Sequence, residues 1–340
     1  MSTHQAATLL EKGTPLEITE RQTPTLGPNE LLIEVHAAAL NPVDHFQRDL
    51  GMFVREFPAI LGSDVSGIVA KAGSDVRPDT PKPGTRVTAF ASSWFNGKAD
   101  YGALQKYVIV SEDIVSVLPD SYSFVEGSVF PMAALTSWCG WLWAGISPSS
   151  PPSQKEGVFV WGASSSMGTF AVQEAKLMGY TVYATAGAQH HEYIKGLGAA
   201  RVFDYKNEDI LGQMVNSAKE DGITVRAGYL ATGDQQLAID VLAALSGGEK
   251  AKLAVAPILK KDLTLPEGIE AAFVSHPEDP VELKGRIRWV FRDWLEARLA
   301  AKELVASPHI KVVKGGLAAV NWALDELKGG VSCSKLVVEL

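Results

Sequence analysis

Short apolar, β-branched runs dominate the first third of the chain. Leu31–Ala37, Val65–Val69, Thr85–Ala89 and Tyr107–Val110 are each bounded by Gly, Pro, Asp or Asn and read as strands. Many short strands at close spacing predict a sandwich or barrel rather than a helical layer. The texture changes after Phe124: Val125–Gly145, with Trp138, Trp141 and Trp143, reads as a buried helix. Gly157–Trp161 is then an apolar run that stops at the turn Gly162–Gly168, and Thr169–Met178 continues with helical spacing. Thr181–Ala186 is a second apolar strand, His191–Leu197 a helix and Arg201–Phe203 a third strand. Strand, glycine turn, helix, strand is a βαβ unit and implies a parallel sheet. Towards the end, Leu283–Leu304 reads as one long amphipathic helix, with Ile287, Val290, Phe291, Trp294, Leu295 and Leu299 on one face. Lys335–Leu340 reads as a closing strand.

Composition narrows the class. The 340 residues suffice for about two domains, and 46% hydrophobic with 21% charged residues is ordinary for a globular chain. The net charge of −8 and scattered Lys and Arg argue against a nucleic-acid partner. Two cysteines, Cys139 and Cys333, build neither a disulfide framework nor a four-cysteine zinc site. The N-terminal residues lack the basic-then-apolar order of a signal peptide, and no apolar run reaches the length of a membrane span. A cytoplasmic protein with no membrane partner is expected.

The turn at Gly162–Gly168 carries the clearest chemistry. A strand that bends sharply into a helix leaves N–H groups free at the helix start, and these with the helix dipole favour a pyrophosphate. In the glycine register of a dinucleotide fingerprint stand Ala163, Ser165 and Gly168, with Ser164, Ser166 and Met167 completing the turn. A plain tight turn is the competing reading, but the flanking strand, helix and second strand favour a nucleotide. The tip of that second strand, Thr185-Ala186-Gly187-Ala188-Gln189, has no carboxylate to hold a ribose 2′-hydroxyl or to repel a 2′-phosphate, which favours NADP. Gly187, His190, Tyr193 and Tyr205 are the candidates on the adenosine side.

Further motifs run along nearly the whole chain. Asn41-Pro42-Val43-Asp44, Leu61-Gly62-Ser63-Asp64-Val65-Ser66-Gly67, Gly84-Thr85-Arg86-Val87, the stretch Tyr101–Tyr107 and the closing Gly315-Gly316-Leu317 with Val331–Val338 stand at matching places. With them the chain resembles the medium-chain dehydrogenase/reductase superfamily, in its zinc-independent quinone oxidoreductase and fungal trans-acting enoyl reductase branch. The resemblance implies an α/β fold: a GroES-like β-barrel catalytic domain over residues 1–125, completed by about 275–340, and a Rossmann domain with a doubly wound parallel sheet over 126–274. Where zinc-dependent members have a Cys and a Gly-His-Glu set, this chain has Asn41 and Gly62-Ser63-Asp64, so no metal is expected.

The resemblance also assigns roles. Asn41 and Asp44 line the nicotinamide end of the site, and Lys335 approaches the cofactor from the last strand. Many fungal relatives place a Lys where Phe46 stands and another where Gln189 stands. His45 or water is then left as proton donor, while Tyr101 and the loop Ser92–Gly97 are expected to edge the substrate cleft, where Trp94 and Phe95 suit an apolar or planar substrate and core packing is the equal alternative. The implied activity is NADPH-dependent reduction of an activated C=C bond in a small enoyl or enone, free or borne on the carrier protein of a polyketide synthase. A quinone or general enone reductase and a non-catalytic nucleotide-binding relative stay open. A monomer is favoured over a homodimer, because the polar stretch Lys260–Pro280 comes after the strand Leu253–Val255 and is expected to cover the sheet edge.

Overall fold

The computed structural model describes residues 2–91, 93–149, 152–153 and 155–340. The chain forms two compact units, Met1–Ala134 with Asp279–Leu340, and Leu135–Glu278.

The first unit is built on Glu30–Ala39, a mostly buried strand that pairs antiparallel with Asp64–Ala72, Tyr107–Ser111 and Ser334–Glu339. Arg86–Phe90 and Val115–Val117 extend this sheet on one side, and His309–Val313 extends it on the other, parallel to Ser334–Glu339. A smaller sheet joins Glu17–Gln22, Thr3–Leu9 and Ala59–Ile60. Hydrophobic patterning does not announce Glu17–Gln22, an edge strand of mostly polar and exposed residues, or His309–Val313, a short edge strand whose apolar residues are mostly not buried. Ala39 lies opposite Asp64 on one side and Val337 on the other. That register delivers Asn41, Asp64 and Lys335, at or just past these pairs, to one end of the sheet.

The second unit carries six strands, all parallel: Glu156–Trp161, Thr181–Thr185, Arg201–Phe203, Thr224–Leu230, Ala251–Val255 and Ile269–Phe273. Numbered within the unit, their spatial order is 3-2-1-4-5-6, the doubly wound order of a Rossmann sheet. Phe159, Trp161, Tyr183, Leu230, Leu242 and Leu253 form its core against helices that include Ile210–Asp221 and Gln235–Leu245.

Three expectations change. The segment read as one helix over Val125–Gly145 is two, Phe124–Gly127 and Pro131–Trp143. Ser123 and Glu126 cap the first reciprocally, and Pro131 disfavours helical backbone at Phe130. The long helix runs from Pro280 to Ala300 and passes through a π-helical stretch at Trp289–Leu295, where Ser116 Oγ donates to the Phe291 carbonyl at 2.6 Å. Part of the stretch expected to cover the sheet edge is itself the edge strand, Ile269–Phe273, with Phe273 45% exposed. That stretch therefore gives no support for a monomer.

Candidate active site

Asn41 ends the run of Glu30–Ala39 and precedes the helix Pro42–Leu50, whose first residue, a proline, needs no N–H partner. Asp44, in the first turn, accepts from the Asn41 backbone N–H through Oδ2 at 2.7 Å. The Asn41 side chain points its two ends at opposite charges. Nδ2 donates to Asp64 Oδ2 at 2.8 Å, and Oδ1 accepts from Lys335 Nζ at 2.6 Å. Lys335 also donates to Asp64 Oδ2 at 3.2 Å, and the Met132 backbone N–H donates to Asp64 Oδ1 at 2.6 Å. Asn41, Asp44, Asp64 and Lys335 are each at least 95% buried. Lys335 thus pairs directly with Asp64, with Asp44 near enough to feel its charge, in a low-dielectric setting. Burial pushes Asp44 up to about 7, with the nearby Asp64 adding to the rise and the Asn41 N–H and Lys335 opposing it. Burial also raises Asp64, against the pull of Lys335, Asn41 and Met132. Asp44 Oδ1 accepts no hydrogen bond.

The other catalytic candidates of the first unit do not join this cluster. Tyr101 donates its hydroxyl to Glu30 Oε1 at 2.6 Å, at the start of the strand whose far end leads to Asn41. His45 is half-buried on the Pro42–Leu50 helix, its ring 4.1 Å from that of Phe46. Burial holds its pKa below the ordinary histidine value. Ser92 and the Trp94 side chain lie outside the described residues, while the Phe95 ring packs 6.2 Å from Phe90.

In the second unit the turn is closed by its own residues. Gly162 has φ +75°, and a Cβ there would lie 2.6 Å from the Thr232 carbonyl oxygen. A Cβ on Gly168 would lie 2.3 Å from the Gly162 oxygen, so this close helix–strand approach needs glycine. Ser165 caps the helix Ser166–Leu177: its Oγ accepts from the Gly168 N–H at 3.1 Å and donates to the Gly162 carbonyl at 2.9 Å. Ser166 and Met167 belong to the first helical turn, where backbone N–H groups have no intrahelical acceptor. Ala163 is buried, whereas Ser164 is half-exposed. This is a cradle suited to a pyrophosphate, placed after the first strand at the point where strand order reverses.

On the adenosine side, the strands Thr181–Thr185 and Arg201–Phe203 run parallel with Thr185 opposite Phe203, so the segments leaving both emerge side by side. These segments hold Gly187, which is buried, His190, which is half-exposed, and Tyr205, 44% exposed with the Lys206 ammonium 5.9 Å from its ring. Tyr193 lies further on, in the short helix His191–Gly196. Two nearby cations are engaged elsewhere, Lys195 with Glu192 at 2.8 Å and Arg201 with Asp221 at 2.6 Å.

Each unit holds its own group of candidates. Lys335 is grouped with Asn41, Asp44 and Asp64 in the first unit, and residues 163–168 form the turn of the second. Asp64 is a site residue that sequence reasoning passes over, although it stands in a motif that the resemblance uses. Thr185 is another: its Oγ1 accepts from the Gly162 N–H at 3.0 Å and its carbonyl accepts from the Ala163 N–H at 2.8 Å. An Asp in an otherwise apolar strand start is the available signal for the first. Among the described residues no three His, Cys, Asp or Glu side chains come together as a group able to hold a metal, and no helix is long and apolar enough to cross a membrane.

Comparison with known proteins bears on the fold and the family. Residues 27–120 match the alcohol dehydrogenase GroES-like domain. The chain is 45% identical to the trans-enoyl reductase tndF of Aspergillus flavipes over 99% of both chains. It is 48% identical to the trans-enoyl reductase tazE of Aspergillus terreus over 75% of this chain and 86% of that one. Its fold matches the quinone oxidoreductase of Coxiella burnetii with a TM-score of 0.75 at 24% identity, covering 100% of both chains. An alcohol dehydrogenase superfamily protein of Novosphingobium aromaticivorans superposes with a TM-score of 0.81 at 20% identity, covering 99% of both. A GroES-like domain joined to a Rossmann sheet defines a medium-chain dehydrogenase/reductase. The chain belongs to that superfamily of oxidoreductases, in the group that holds the fungal trans-enoyl reductases. Membership implies a nicotinamide cofactor, and the cradle at Gly162–Gly168 fits one.

Proposed function

We propose that the chain is an NADPH-dependent, zinc-independent reductase of a C=C bond conjugated to a carbonyl, with an enoyl thioester carried by a polyketide synthase as its substrate. The observation that carries this reading is the Asn41–Asp64–Lys335 cluster, whose Asn41 and Asp64 stand at positions where the resemblance puts metal ligands in zinc-dependent members. The names of the relatives tndF and tazE support the same reaction class.

The residues 163–168 would hold the pyrophosphate, and Gly187, His190, Tyr193 and Tyr205 the adenosine side. When bound, the reduced nicotinamide supplies a hydride. NADPH is favoured over NADH because Ala186–Gln189 contains no carboxylate. Lys195 and Arg201 are paired elsewhere, so the preference rests on weaker contacts at His190, Tyr205 and Lys206.

Asn41 is the polar group of the first unit best fixed for catalysis. Lys335 and Asp64 lock its amide in one orientation, which leaves the second N–H of Nδ2 for an acceptor outside the cluster. A donor held in place this way stabilises developing negative charge without reorganising. Asp44 is fully buried and sets the charge of the cluster rather than meeting substrate. Burial holds the His45 pKa below the ordinary histidine value and its ring lies outside the Asn41–Asp64–Lys335 cluster, and Phe46 has no proton to give, so water is taken to deliver the proton to the carbon next to the carbonyl. The test is NADPH oxidation with a simple enoyl thioester by wild type and Asn41→Ala. Loss of at least about tenfold in kcat with little change in KM is expected from removing one preorganised donor. Unaltered kcat would remove Asn41 from the mechanism.

A further inference from the structure

Thr185 closes the strand Thr181–Thr185 and is wholly buried. A valine would fill the same space and suit a buried strand end, so a hydroxyl there calls for a polar partner. The ladder with Glu156–Trp161 ends where Ala184 lies opposite Val160. Beyond it Gly162 takes φ +75°, and its N–H meets a side chain, donating to Thr185 Oγ1 at 3.0 Å. The next N–H, that of Ala163, donates to the Thr185 carbonyl at 2.8 Å. One residue of the second strand thus takes the first two amides of the turn. The chain just past Thr185 is itself fixed. The Ala186 N–H donates to the Phe203 carbonyl at 3.0 Å, and the Ala186 carbonyl accepts from His191 Nε2 at 3.1 Å.

The remaining amides of the turn fall into two sets. The Ser165 N–H donates to the Gly162 carbonyl at 3.1 Å, and the Gly168 N–H donates to Ser165 Oγ at 3.1 Å. Among the described residues the N–H groups of Ser164, Ser166 and Met167 have no acceptor. We infer that Thr185 is a positioning residue for the nucleotide: without touching it, the Thr185 hydroxyl holds the turn in the shape that leaves those three amides for the pyrophosphate. Donors fixed before the ligand arrives need no ordering when it binds. The inference rests on the reading of residues 163–168 as a pyrophosphate cradle.

NADPH and NADH are titrated calorimetrically into the full-length wild type, Thr185→Val and Thr185→Ser, at a temperature where thermal unfolding curves show all three folded. Thr185→Val keeps the volume and removes the acceptor. It is expected to weaken both nucleotides by about tenfold, the order of one hydrogen bond, and to leave their ratio unchanged because both carry the same pyrophosphate. Thr185→Ser keeps the hydroxyl and is expected within about threefold of the wild type. A lowered unfolding midpoint with undiminished affinity in Thr185→Val would make the bond structural alone and overturn the inference. A shifted NADPH-to-NADH ratio would place the effect at the adenosine end and overturn it too, as would a Thr185→Ser variant that binds no better than Thr185→Val. If Thr185→Val does not fold, Thr185→Ala takes its place with the same expectations. A wild type that binds neither nucleotide refutes the cradle itself, whereas tight binding by wild type and Thr185→Val alike refutes only the role of Thr185.

Discussion

Lys335 Nζ lies 2.6 Å from Asn41 Oδ1, although 294 positions separate the two residues in the chain. The meeting results from register, since Val337 and Ala39 are direct partners in the sheet. Lys335 is the ammonium inside a pocket that also holds Asp44 and Asp64, so its charge governs both the stability and the polarity of the site.

Replacing that cation leaves carboxyl groups buried without compensation. Lys335→Met is expected to lose about 3–5 kcal/mol of unfolding free energy, the usual cost of breaking a buried pair. The double variant Asp64→Asn/Lys335→Met should recover part of the loss. Urea unfolding of the two single variants and the double variant measures the coupling, and additive losses would show that the pair does not interact.

Acidity in the cluster sets a pH dependence of stability. Asp44 titrates near 7 in the folded protein and, as an ordinary aspartate, at about 4 when unfolded. Its contribution is therefore complete below about pH 4 and lost as pH rises through about 7. Fully buried Glu174, whose Oε2 accepts from Ser137 Oγ, is raised well above the ordinary value by burial and acts with the same sign. The unfolding free energy of the wild type should fall between pH 5 and pH 8 by an amount on the order of a few kcal/mol. Asp44→Asn should flatten that fall, and Glu174→Gln should flatten it separately. A slope unchanged in Asp44→Asn would place its pKa back in the ordinary carboxylate range.

The turn at Gly162–Gly168 has no room for a side chain at Gly168. Gly168→Val puts carbon against the Gly162 oxygen and Ala163, both backbone, and is expected to abolish NADPH binding. Ser165→Ala removes a helix cap at a cost of about 1 kcal/mol and should weaken binding several-fold without unfolding the chain. Fluorescence titration with NADPH and NADH reads both variants. Full-strength binding in Gly168→Val would remove the turn from the cofactor site.

Much of this arrangement is legible in the sequence, and the exceptions have physical causes. The turn at Gly162–Gly168 can be found because strand, tight bend and helix are local and leave a local signature. Asn41 and Asp44 sit in one short motif and are legible for the same reason. The place of Lys335 is not, because its partner Asp64 lies 271 positions away, and only the register of three strands shows that the two meet. The edge strand Ile269–Phe273 escapes notice because it is short, half-exposed and preceded by Pro266 and Gly268. The break at Ser128–Phe130 is hidden by apolar residues that suit either a helix or a buried turn.

Metal independence is a further expectation. Asn41 and Ser63 are poor zinc ligands, and Asp64 is committed to Asn41, Lys335 and Met132. Dialysis against a chelator should leave NADPH oxidation unchanged, with zinc far below one equivalent by mass spectrometry. Loss of activity restored by added zinc would contradict this.

Hydride delivery to a conjugated carbon is tested most directly by isotope transfer. The protein is incubated with NADPH deuterated at the transferred position and with a crotonyl thioester, and the product is analysed by mass spectrometry and NMR. The expected product is a saturated thioester with one deuterium at the β-carbon and a solvent-derived hydrogen at the α-carbon. Deuterium at a carbinol carbon, or cofactor oxidised with no label in the product, would refute the proposed reaction.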